Sequence, residues 1–319
     1  MFRMPAVSAL LALVFAIVAE AQTYPAQPIK LVVPWPPGGA VDIIGRLVAE
    51  RIATPLGQPV VIDNRAGAAG AIGSDHVAKA PADGYTLLMG STTVISVNPA
   101  LQKLPYAATD FAPITMVAFV PHMLVIPAEI PARDLKEFVA WVKSNRDKVS
   151  YASAGPGTPH HIAGEMFKSM TGVDMLQVPY KGTGPALVDL IANRVQFMSV
   201  EAVAALPHVR AGKLKALGVA TPARNALAPD IPTVAEAGLP GFEVTAWYGV
   251  VAPLGVPAPA ADLLAKTISK ALEDATFREK LAGLGATPVG GTPQAFGQML
   301  KVENAKWAKA IKDANIRLE

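Results

Sequence analysis

Two adjacent histidines, His160 and His161, end the stretch Ser153-Ala-Gly-Pro-Gly-Thr-Pro-His-His161, and a metal is the first chemistry they raise. Adjacent residues on a helix point in different directions, and neither an H-E-x-x-H pattern nor a second cluster accompanies them. One histidine is therefore expected to face a cleft and the other to be structural, with no metal. His76, His122 and His208 read as surface or satisfied core residues. Acyl transfer finds no better support: Tyr151-Ala-Ser-Ala-Gly155 is one glycine short of a nucleophile elbow, and no S-x-x-K is present. Gly67, Gly70 and Gly73 follow G-x-x-G-x-x-G rather than a dinucleotide spacing, and Gly155-Pro-Gly157 has His160 where the third glycine belongs. With no Walker lysine either, no cofactor is expected and the chain does not read as an enzyme.

Anion binding is the chemistry that remains. Glycine-rich loops recur where an apolar run gives way to a helical pattern: PWPPGGAVD (34–42), NRAGAAGAIG (64–73), GSTT (90–93), SAGPGTPHH (153–161) and YKGTGPA (180–186). The first turn of a helix leaves backbone N–H groups unpaired at a positive dipole end, and glycine lets that backbone close on an anion without a side chain in the way. In PWPPGG the prolines fix the loop in advance and Trp35 offers an apolar wall. Asp42 caps the following helix or lies in its first turn.

Strand-like and helix-like segments alternate around these loops. Ile29-Val33, Pro59-Ile62 and Tyr85-Met89 are short aliphatic runs separated by helical patterns over 43–53 and 69–80, a βαβαβ series that predicts a parallel sheet. Leu135, Phe138, Val139 and Val142 mark a helix. A second series has strands at Val149-Ala152, Met175-Val178, Val195-Ser199 and Leu214-Ala220, with helices over 160–171, 184–193 and 201–211. A strand at Trp247-Ala252 and helices near 258–285 and 293–315 complete the chain. Open parallel sheets place their ligand crevice at the carboxyl ends of the strands, where these loops lie.

With 319 residues, 51% hydrophobic and 17% charged, the chain has enough apolar surface for two globular units. A net charge of +3, with its 28 basic residues scattered, gives no footprint for nucleic acid. Met1-Phe-Arg3, the apolar run Ala6–Val18 and Ala19-Glu-Ala21 have the form of a signal peptide cleaved after Ala21, the run being shorter than the roughly 18 residues a membrane span needs. The mature chain is thus expected in the periplasm without membrane insertion. It has no cysteine, so packing alone must stabilise it after export.

The loops, together with ADGYTLL, YASAGPGTPHHIAGEMF, VPYKGTGPALVDLI, PDIPTVAEAGLPGFE and TAWYGVVAP, resemble in order and spacing the Bug-type solute-binding proteins of tripartite tricarboxylate transporters, from about Tyr24 to the C-terminus. The resemblance implies an α/β, two-lobed Venus-flytrap fold, each lobe a mainly parallel sheet flanked by helices. It also implies a small carboxylated solute held between the lobes and inner-membrane transporter subunits as partners. By position the ligand meets Trp35, Pro36, Pro37, Gly38, Gly39 and Asp42 on one side, with Ser91 and Thr92 lining the same lobe. Ser153, Gly157, Thr158 and His160 lie on the other, with Lys181 and Gly182 nearby. The chain then divides into a leader (1–21), lobe 1 (22–123 plus 246–319) and lobe 2 (124–245), with hinges near Val120-Pro-His-Met123 and Leu239-Pro-Gly241. Alternatives are a ligand sensor of the same fold signalling to a partner receptor, and a hydrolase or transferase.

One stretch departs from the family pattern. After the helix over 184–193, relatives usually carry Gly, a Val-Asp pair, then an aspartate and asparagine at the strand end; this chain has Asn193, Val195-Gln196 and Val200-Glu201. A cleft-facing Glu201 repels a second ligand carboxylate by about 4 kcal/mol at an effective dielectric near 20. That favours a monocarboxylate, with an amino or hydroxyl group or an aromatic ring against Trp35, over citrate-like tricarboxylates. In the other reading Glu201 starts a helix as a dipole-favoured acid in water.

Overall fold

The computed structural model describes residues 24–146, 148–224 and 228–313. The leader and its expected cleavage site lie outside these residues.

The first series runs β1 (Ile29–Val33), α1 (Ala40–Leu56), β2 (Val60–Asn64), α2 (Ala71–Ala78) and β3 (Thr86–Ser91). β1 is flanked in parallel by β2 and β3, and its aliphatic side chains are buried, as a run covered on both faces requires. α1 buries Val41, Ile44, Val48 and Ile52 at helical spacing and stops at Gly57, whose φ of 67° is the left-handed cap that side chains disfavour. β3 leads directly into a π-helical turn, Thr92–Val97.

After a short helix at Asn98–Leu101 comes a strand that the local pattern conceals. β4 spans Phe111–Pro127 without a break, although Pro113, Pro121 and Pro127 read as strand breakers. Its register shifts at Pro113/Thr115, and it changes partners after Pro121. The second series follows with α3 (Leu135–Ser144), β5 (Ser150–Ser153), α4 (Pro159–Thr171), β6 (Leu176–Pro179), α5 (Thr183–Ile191), β7 (Phe197–Glu201), α6 (Ala202–Arg210) and β8 (Leu214–Val219). β9 (Thr245–Pro253), α7 (Ala258–Glu273), α8 (Ala275–Gly283), β10 (Thr287–Pro288) and α9 (Pro293–Asp313) close the chain.

The strand order is β2-β1-β3-β9-β4-β7-β5-β6, with β8 and β10 also on β4. Pairing is parallel within β2-β1-β3 and β7-β5-β6 and antiparallel wherever β4 or β9 takes part. Up to Pro121, β4 pairs with β9; from His122 it pairs with β7 and β8. The His122 N–H donates to the Val244 carbonyl at this changeover. The chain returns at Val244–Thr245, beyond the expected crossing at Leu239-Pro-Gly241, which forms a turn whose Leu239 packs on the core of the second series. The helix expected near 258–285 is two helices. Asp274 interrupts it, because its carboxylate accepts the Phe277 N–H at 2.9 Å and so starts α8. α9 packs on the first series, with Phe296 edge-on to Trp247 of β9 at 5.7 Å.

Candidate functional site

The loop after β1 is fixed from within. Asp42, 3% exposed in the first turn of α1, accepts the Gly38 N–H at 3.0 Å, Arg46 Nε at 3.0 Å and Asn64 Nδ2 at 2.9 Å. The Asn64 amide also donates to the Trp35 carbonyl. Burial would raise the Asp42 pKa, but the hydrogen bonds from Arg46, Asn64 and Gly38 outweigh it and hold the carboxyl below its ordinary value. The loop after β5 is tied to itself in the same way. The Thr158 hydroxyl donates to the Gly155 carbonyl at 2.7 Å, the Gly157 N–H donates to His161 Nδ1 at 3.0 Å, and Ser153 Oγ accepts from the Gly155 N–H and Gln177 Nε2.

Between these loops lies a cavity with about 20 Å³ open to a water-sized sphere. The first series contributes Trp35, the α1 start at Gly39–Val41, and Ser91–Thr93. The second contributes Ala154, Pro159, His160, Thr183 and Glu201, and β9 adds Ala246 and Tyr248. Three helix starts therefore line one space: α1 at Ala40, α4 at Pro159 and α5 at Thr183. Their dipole ends favour an anion there. Three lining residues also carry a buried polar atom without a partner in the protein: Trp35 Nε1, Ser91 Oγ and His160 Nδ1. Among the described residues no lysine or arginine lines the cavity.

Opposite these donors is an ionisable cluster. Glu201, 5% exposed, receives His160 Nε2 on Oε2 at 3.0 Å and the Tyr248 hydroxyl on Oε1 at 3.0 Å, while Thr183 Oγ1 lies 3.2 Å from His160 Nε2. His122 faces Glu201 across the β4–β7 pairing, shares a 3.1 Å hydrogen bond with Ser199 through Nδ1 and has no partner for Nε2. Burial would raise the Glu201 pKa, but the charge and hydrogen bond of His160 hold it well below the usual carboxylate range. Burial pushes the His122 imidazole down to about 4, against the pull of the Glu201 charge. The Tyr248 phenol is raised by burial and by Glu201. His122, His160 and Glu201 are thus the described residues whose types and closeness fit a metal.

Of the residues expected to meet a ligand, Trp35, Gly39, Ser91, Thr92, His160 and Glu201 line the cavity. Thr92 accepts the Trp247 N–H through Oγ1. Pro36, Pro37, Gly38 and Gly182 lie outside it, where the loop after β1 meets the loop between β6 and α5: Gly182 (φ 142°) approaches Pro36, and a Cβ there would come 2.7 Å from its Cδ. The other expected residues stand elsewhere. The carboxylate of Asp42 and the polar groups of Ser153, Gly157 and Thr158 are engaged in fixing their own loops. Lys181 is exposed, and Val200 is a fully buried apolar residue opposite Met123, so neither lines the cavity. Glu201 does precede a helix, but in the cavity wall rather than in water. Its charge is shared with His160 and Tyr248, which reduces the repulsion expected for a second ligand carboxylate. His122, read as a surface or satisfied core residue, is fully buried and keeps an unpartnered nitrogen beside Glu201. Thr183 and Tyr248 were missed as lining residues, although both lie in quoted segments, because only the tertiary fold carries Thr183 to His160 and Tyr248 to Glu201.

Comparison with known proteins agrees with this architecture. A sequence profile described as tripartite tricarboxylate transporter family receptor matches residues 44–316. The chain is 38% identical over 303 residues to the protein BugT of Bordetella pertussis, covering 94% of this chain and 93% of that one. It is similar to the solved structure of R. palustris Rpa4515 with adipate, at 35% identity and TM-score 0.88 over 92% of this chain and 99% of that one. It is likewise similar to MatC from Rhodopseudomonas palustris with bound malate, at 35% identity and TM-score 0.84 over 90% of this chain and 100% of that one.

Proposed function

Because the chain belongs to the tripartite tricarboxylate transporter receptor family, a family of solute-binding proteins and not of enzymes, we propose that it captures a small organic carboxylate in the cavity between its loops and delivers it to inner-membrane transporter subunits. The observation that carries this reading is the set of unpartnered polar atoms, Trp35 Nε1, Ser91 Oγ and His160 Nδ1, lining a cavity on which three helix starts converge. Buried polar atoms left unpaired cost about 1–3 kcal/mol each, and a carboxylate repays that cost with charge-assisted bonds of about 1.5–3 kcal/mol. The ligand of Rpa4515 and that of MatC are both carboxylates, adipate and malate.

Domain closure supplies the mechanism. The described residues up to Met123, with those from Ala246 onward, form one lobe and the described residues of 124–245 the other, hinged where β4 changes partners at Pro121–His122 and where the chain returns at Val244–Thr245. The cavity as it stands has room for about one water, so the lobes must part to admit a carboxylate and then close on it, bringing preset groups together and ordering few side chains. The favoured class is a monocarboxylate over a citrate-like tricarboxylate. Among the described residues the cavity has few free donors and no lysine or arginine, so each added carboxylate would be buried with little to compensate it. Among the described residues no helix is long and apolar enough to cross a membrane. The leader pattern of residues 1–21 supports release into the periplasm after cleavage at Ala21.

Thermal shift and calorimetry of the mature protein against mono-, di- and tricarboxylates test the reading. A monocarboxylate should raise the melting temperature and remain chemically unchanged. Failure of every carboxylate to bind the folded protein would reject it.

A further inference from the structure

We propose that His122, His160 and Glu201 form a binding site for a divalent cation of the zinc type in the wall of the cavity. All three side chains are buried, and one ligand atom from each lies within 4.8 Å of the other two. An ion pair accounts for the contact between His160 and Glu201. It does not account for His122, a 0% exposed histidine whose Nε2 has no partner although its ring stands 5.1 Å from that of His160. The sheet imposes this arrangement, since His122 and Glu201 are opposite one another in the β4–β7 register, so their side chains project from the same face.

The donor set and its surroundings fit the cation. Two imidazoles and one carboxylate, with a remaining position open to a small molecule, suit zinc at bonds of about 2.0–2.2 Å, which places ligand atoms about 3.4 Å apart. The Oε2–Nε2 separation of 3.0 Å is already close to that. His122 is oriented by the Nδ1 bond to Ser199, and Glu201 by the Tyr248 hydroxyl, the supporting contacts that metal-binding histidines and carboxylates use. The site is empty of cysteine, so a softer thiolate-preferring ion has no ligand. Since His160 and Glu201 line the cavity, the open position of the ion faces it. A carboxylate entering there would meet a cation in a space with no lysine or arginine. This last role rests on the carboxylate reading above; the metal site itself does not.

The tag-free mature protein, stripped with EDTA and dialysed, is titrated with zinc chloride alone and then assayed for retained metal by mass spectrometry. One equivalent should be retained, with a higher melting temperature, and cobalt(II) should give the intense visible bands of four-coordination. His122→Ala and His160→Gln should each reduce zinc affinity at least tenfold. If either variant fails to fold, the cobalt spectrum and stoichiometry of the wild type decide. Retention of less than a tenth of an equivalent by folded wild type, or equal retention by both folded variants, would overturn the site and leave a buried ion pair. Titration of the stripped protein with the same mono-, di- and tricarboxylates reads carboxylate binding separately, so the two proposals can fail independently.

Discussion

The bare α-carbon of Gly184, in the first turn of α5, lies against the carbonyl oxygen of Pro37 in the loop after β1, in contact range of any Cβ that replaced its hydrogen. Two segments nearly 150 residues apart in sequence thus meet backbone to backbone over the cavity. Gly184→Ala should hold the loops apart. Carboxylate affinity should fall at least tenfold while the ligand-free melting temperature changes little, and small-angle scattering should show no compaction on adding ligand. Wild-type compaction in the variant would show that the contact does not control closure.

Ser91 separates binding from folding. Its hydroxyl is buried in the cavity wall with no protein partner, so Ser91→Ala removes a cost from the free protein and a bond from the complex. Calorimetry should record a loss of about 1.5–3 kcal/mol in carboxylate affinity, with the free protein as stable as wild type or more so. A destabilised free protein with intact affinity would place the hydroxyl outside the site.

Asp42 makes the first loop sensitive to acid. Its folded pKa lies below the unfolded value, so the native state binds fewer protons there than the unfolded chain. The resulting stability is fully present above the unfolded pKa of about 4 and is lost as pH falls through the folded one. Asp42→Asn should therefore cost stability at neutral pH, about 1–3 kcal/mol for the bonds from Gly38, Arg46 and Asn64. The difference from wild type should shrink below about pH 4. Denaturant unfolding at several pH values measures both, and a difference independent of pH would discount the charge.

Export is tested on the protein itself. The n-, h- and c-regions of the first 21 residues predict a mature chain beginning at Gln22. Intact mass of the periplasmic protein should match that start, whereas a soluble chain retaining Met1 would contradict it.

Alternation of short aliphatic runs with amphipathic stretches is a local property, and it sufficed for the two βα series. The burial of Val41, Ile44, Val48 and Ile52 on α1 is an instance, as periodicity alone determines which face such a helix buries. The glycine-rich loops were legible for the same reason: glycine and proline restrict their own backbone wherever they occur. They marked the walls of the cavity at Trp35, Gly39, Ser91 and His160.

What each polar group does was decided only by tertiary structure. Thr158 at a helix start has the same local chemistry whether its hydroxyl meets a ligand or the Gly155 carbonyl, and nothing nearby in sequence distinguishes the two. β4 was hidden because its prolines look like breaks until the strands that accommodate them are in place. With β4 hidden, so was the pairing that sets His122 beside Glu201, two residues 79 positions apart. A strand register joins residues by hydrogen bonds between distant segments, and no local pattern encodes which distant segment that is. The sequence by itself determined the two βα series, the glycine-rich loops and the family; the register of β4 with β7 and β9 decided which side chains share the cavity.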